Sequence, residues 1–149
     1  MPRLRKLLAL SSAERRTLLR SLVVLVWVRW TVGTRGLAPV EARIVRVIAA
    51  RKRYGARAVG CGEAEVTRLL LVAQRAMPWR TTCLHLAAAL RLLLAERGIA
   101  SDLRFGVRNE RGTFNAHAWL ECDGRVLVGG SDVYQQYAPF PAASERKRA

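Results

Sequence analysis

Residues 83 to 95, CLHLAAALRLLLA, are apolar apart from His85 and Arg91. Wound as a helix, the run leaves no face polar enough to lie against water, so the rest of the chain has to enclose it. Thr81 or Thr82 can cap its start, and Gly98 can stop it after Arg97. A chain of 149 residues is long enough to build that enclosure as one domain.

The segments before this run carry helical period. In SSAERRTLLRSLVVLVWVRW, residues 11 to 30, Ser11 or Ser12 with Glu14 offers a helix cap and an acid in the first turn. Leu18, Leu22, Leu25 and Val26 then recur at helical spacing, and Gly33, Gly36 and Pro39 end the element. PVEARIVRVIAARKRYG, 39 to 55, predicts a second helix with Ile44, Val47 and Ile48 inward and Gly55 at its end. A third is expected from Glu63 to Ala76, before Met77-Pro78-Trp79.

After Gly98 the period becomes two. Leu103, Phe105 and Val107 alternate with Arg104 and Arg108, and NAHAWLEC and RVLVGG flank Asp123-Gly124, a strong hairpin signal. Helices first and strands second predict an α+β fold: N-terminal helices, then the central cysteine-bearing helix packed on a small antiparallel sheet. The expected organisation is a single domain over 1–149, helical through 77, with a core at 78–140 and a flexible tail at 141–149.

Charge and cysteine usage narrow the function. Lys and Arg number 26 against 11 Asp and Glu, a net charge of +15, which favours acidic partners. No zinc-finger, helix-turn-helix or ribonucleoprotein motif turns that charge into nucleic-acid recognition, so no nucleic acid is expected. Cys61, Cys83 and Cys122 form no CxxC pair, and only His85 and His117 could join them, so neither a disulfide framework nor a metal site is expected. The N-terminus lacks signal-peptide form, and LVVLVWV, bounded by Arg20 and Arg29, falls short of a membrane span. Membrane contact is therefore not expected, and a reducing cytoplasm is.

A cysteine nucleophile gains from the positive potential at a helix N-terminus. Cys83 meets that condition, and so does Cys61 in GCGEAE, which leaves the two as rivals. In the strand NAHAWLEC, His117 shares a face with Asn115, Trp119 and Glu121, while Cys122 lies on the other with Leu120. A two-residue turn at Asp123-Gly124 sets Cys122 opposite Arg125 and His117 opposite Gly130. Asp132 then falls on His117's face, one diagonal step along. A slip of one residue would turn Asp132 away. Cysteine, imidazole and carboxylate together are the parts of thiol-acyl chemistry. His85 projects to a different side of its helix from Cys83 and reads as structural.

The run from Cys83 to Phe140, with its CL helix ending in RGI, its FGV strand, its AHAWLECDG hairpin and its closing Asp-Val and Tyr-Ala-Pro-Phe, resembles the transglutaminase-like cysteine peptidases of lasso-peptide biosynthesis. These B proteins remove the leader from a ribosomally made precursor. The resemblance covers residues 78 to 140 well and the N-terminal helices only in character. It implies Cys83 as nucleophile, His117 as general base and no cofactor. A family pattern with the acid twelve residues after the histidine falls on Gly129, which has no carboxylate; Asp132 is the nearest acid. The chain begins with the peptidase's own helices, like the split form that works with a separate small leader-recognition protein. The precursor's leader region is then the substrate, and the lasso cyclase is a further candidate partner. A non-catalytic basic binding module of the same fold, or another thiol acyl-transfer enzyme, are the alternatives.

Overall fold

The structure is a computed structural model that describes residues 10–54 and 62–140. Cys61, Gly55 and the tail at 141–149 lie outside the described residues. Helix α1 spans Ser12–Arg35 and starts with a capping box: the Ser11 hydroxyl accepts from the Glu14 amide, and the Glu14 carboxylate accepts from the Ser11 amide at 2.8 Å. It passes through Gly33 and ends at Gly36, whose φ is +76°. At 24 residues α1 is also longer than the apolar run predicted, and it is long and apolar enough to cross a membrane by length and composition.

The buried side of α1 differs from the expected stripe. Thr17, Ser21, Val24, Leu25, Val28 and Thr31 are enclosed, whereas Val26 is exposed and Leu18 and Leu22 only border the core. Ser21 and Thr17 can sit inside because each hydroxyl donates to the carbonyl four residues back, at 2.8 and 3.0 Å. Helix α2, Ala38–Arg53, buries Val40 and Ile44 and leaves Ile48 exposed. Helix α3, Glu63–Ala76, has the bounds its sequence predicts.

Helix α4, Cys83–Ala95, is the centre of the molecule. Ala87 through Leu90 and Leu92 through Ala95 are all buried, with α1, α2 and α3 on one side and the sheet on the other. It ends two residues before the expected Arg97, at a turn in which Gly98 takes φ +76° and the Ile99 amide reaches the Leu94 carbonyl at 3.0 Å.

The sheet has four antiparallel strands in the order β3-β2-β1-β4: β1 Asp102–Glu110, β2 Thr113–Cys122, β3 Arg125–Val128 and β4 Ala138–Pro139. A short helix α5, Val133–Gln136, precedes β4, and neither was foreseen. Asp123 and Gly124 have φ +49° and +75°, making the two-residue turn, and Cys122 pairs with Arg125 as predicted. The expected register does not continue beyond it. Glu121 pairs with Val126 but Leu120 with Val128, so Leu127 is an extra residue in a bulge. The slip sets Gly129 against Trp119 and removes the predicted pairing of His117 with Gly130.

Candidate active site

Cys83 is the first residue of α4 and half-buried. At that position its N–H has no carbonyl four residues earlier within the helix, and the aligned peptide dipoles favour negative charge there. The Thr82 hydroxyl caps the turn by accepting from the His85 amide at 3.3 Å, and it stands 2.7 Å from His85 Nδ1. An oxygen that accepts from the amide and donates its own proton to Nδ1 suits a neutral His85. Burial, with Arg29 nearby, pushes the His85 pKa down, in the same direction. His85 therefore takes part in the cap rather than reaching toward Cys83.

The two faces of β2 part company at the sheet. Leu120 joins the core cluster formed around α4. His117, Trp119 and Glu121 alternate with Leu120 and project to the other face, against Tyr134 and Tyr137. Tyr137 stacks on the His117 ring with centroids 4.9 Å apart, and Arg108 lies 5.2 Å over Tyr137. Tyr134 meets Trp119 edge-on, and Glu121 accepts from both the Trp119 indole N–H, at 2.6 Å, and the Tyr134 hydroxyl.

His117 Nε2 lies 2.7 Å from the carbonyl oxygen of Gly129. A carbonyl only accepts, so Nε2 carries the proton, and in the neutral ring Nδ1 is left as the acceptor. The backbone oxygen thus fixes the tautomer and the orientation of the His117 ring. Only glycine suits that position. Its φ is +115°, and a Cβ would stand 2.3 Å from the Trp119 Cβ. The bulge at Leu127 and the Gly129-Gly130 pair, both with positive φ, bring the carbonyl under the ring. The Gly-Gly doublet ending a strand was the available signal in the sequence, and a carboxylate-centred search passes over it.

Asp132 is not at His117. It is exposed, precedes α5, and accepts from the Gln136 amide group. Among the described residues no hydrogen bond or ion pair joins it to His117, and the bulge is the physical reason. Nor does a hydrogen bond join Cys83 Sγ to His117 among the described residues: α4 packs on β2 through the Leu120 face, and His117 is on the other. Cys122 is buried, donates to the Ala100 carbonyl at 3.3 Å, and has its thiol pKa pushed up by burial and by Asp123 and Glu63. Those features make it a core residue.

A family model described as the transglutaminase-like superfamily matches residues 22–142, from within α1 past the end of the sheet. No curated protein and no solved structure matches the chain.

Proposed function

The chain belongs to the transglutaminase-like superfamily, and on that premise we propose that it is a cysteine peptidase that cleaves the leader from a lasso-peptide precursor, in the cytoplasm, with a separate leader-binding partner. The observation that carries the chemistry is the place of Cys83 at the first position of a buried helix packed on the strand that bears His117. The lasso-peptide substrate rests on the resemblance of residues 78 to 140, and the reducing compartment on Cys83 and Cys122 being free thiols.

In this mechanism His117 Nδ1 takes the proton of the Cys83 thiol, while the Gly129 carbonyl holds Nε2–H and so fixes the tautomer. The thiolate attacks the carbonyl at the leader–core junction, and the Cys83 N–H stabilises the oxyanion. The core peptide leaves as an amine, taking the proton from the imidazolium. Water, deprotonated by the same nitrogen, hydrolyses the thioester and frees the leader. Among the described residues no contact joins Sγ and Nδ1, and His117 lies on the face of β2 away from the core contacts of α4, so this transfer requires the two elements to rearrange around bound substrate. Asp132 stays outside the machinery.

A non-catalytic binding module of the same fold draws on the missing hydrogen bond between Cys83 and His117. The deciding assay incubates precursor, leader-binding partner and protein, and follows leader release by mass spectrometry. Release by wild type and by Cys61→Ala, but not by Cys83→Ala, is the expected outcome. Release that survives Cys83→Ala rules the assignment out.

A further inference from the structure

The outer face of α1 carries a row that the fold leaves uncovered. Leu19, Val23, Val26 and Trp30 are 46 to 63% exposed and follow one another by four, three and four residues. That spacing keeps them on one side of the helix over about 16 Å, opposite the buried Val24, Leu25 and Val28. At its far end the row opens into a cavity of about 430 Å³, walled by Val26, Trp30 and Trp79 and bordered by Arg29. The same spacing of apolar residues is what one helix offers another to pack against.

Charge selects the occupant. The only acid in α1 is Glu14, which is engaged with Ser11 and Arg68. Arg15 and Arg16 are exposed at the start of the row, Arg35 lies 5.4 Å over the Trp30 ring, and Arg29 lies 5.4 Å over Trp79. A second copy of a +15 chain is repelled from such a face. Residues 1–9 hold Arg3, Arg5 and Lys6 and no acid, so charge does not favour them either. Exposed tryptophan and arginine around an apolar strip are the residue types that carry binding energy at interfaces.

We infer that this face of α1, with Trp79, is the docking site for an acidic amphipathic helix of a partner protein. The apolar row of that helix seats along Leu19, Val23, Val26 and Trp30, and its flanking carboxylates meet Arg15, Arg16 and Arg29. The inference rests on this surface alone and holds whether or not Cys83 is a nucleophile.

The test uses the full chain and three synthetic helical peptides: a leucine row at four-three-four spacing flanked by glutamates, the same composition scrambled, and the same row flanked by lysines. Tryptophan fluorescence titrations should show saturable one-to-one binding of the first peptide only. Val23→Asp and Trp30→Ala, both exposed substitutions that leave the circular dichroism unchanged, should each weaken it at least about tenfold. Equal binding of the scrambled peptide, or binding indifferent to both substitutions, overturns the proposal. So does absence of peptide binding, whether α1 then associates with anionic phosphatidylglycerol vesicles or with a second copy in sedimentation, each in a Val23-dependent manner.

Discussion

The start of α4, with Cys83, and the middle of β2, with His117, are built by opposite means. Around Cys83 every device is local: Thr82 caps, His85 closes the cap three residues later, and a leucine- and alanine-rich body anchors the helix. Around His117 nothing is local. The ring is held by a carbonyl twelve residues on, delivered by a bulge and a left-handed glycine, and is covered by Tyr137 twenty residues on. The position of the sulfur is set by a few neighbouring residues, whereas the orientation of the imidazole depends on the register of a whole hairpin.

The non-local half should break most severely. Gly129→Ala forces a left-handed conformation and a Cβ into Trp119; the expected cost is about 3 kcal/mol of stability, or roughly 10 °C in Tm. In the folded fraction, leader release should fall together with the Nε2-protonated signal of His117 in nitrogen-15 spectra. A variant with normal Tm and normal His117 signals would separate the carbonyl from the histidine. The local half should yield less: Thr82→Ala removes one cap, and about 1 kcal/mol of stability in denaturant titration is expected.

His85 gives the comparison a pH dependence. Its pKa is depressed in the folded state, so near neutral pH it is uncharged whether the chain is folded or not. As pH falls below the ordinary value of 6.5, the unfolded chain takes up the proton first, and stability declines until the folded histidine also titrates. His85→Gln should flatten that decline in chemical denaturation curves measured across acidic pH. The smallest effect belongs to Asp132→Ala, which should leave leader release within about threefold of wild type; a loss of a hundredfold or more would return a carboxylate to the site.

The sequence made α3, the capping of α1 and α4, the hairpin turn and the α+β order legible, because each follows from residues a few positions apart. The departure of α1 from its expected stripe, which held at Leu25 but not at the exposed Val26, has a clear origin. Thr17, Ser21 and Thr31 are buried, at least two of them by bonding back to their own helix, so hydrophobicity alone misses part of the buried side. Asp132 was misplaced by one extra residue, Leu127, which no alternation pattern announces and which turns every later side chain. The Gly129 carbonyl escaped notice because a backbone atom has no residue type to search for. The covering of His117 by Tyr137 depends on the return of the chain to pair β4 with the edge of β1, a long-range contact.

Trapping the acyl-enzyme tests the central assignment most directly. Precursor and leader-binding partner are mixed with wild-type protein, quenched in acid within the first turnover, digested and examined by mass spectrometry. The leader should be found in thioester linkage on the peptide that contains Cys83, and Cys83→Ala should give no adduct and a release rate at least about 1,000-fold below that of wild type. An adduct on the peptide containing Cys61, or release by Cys83→Ala at the wild-type rate, would contradict it.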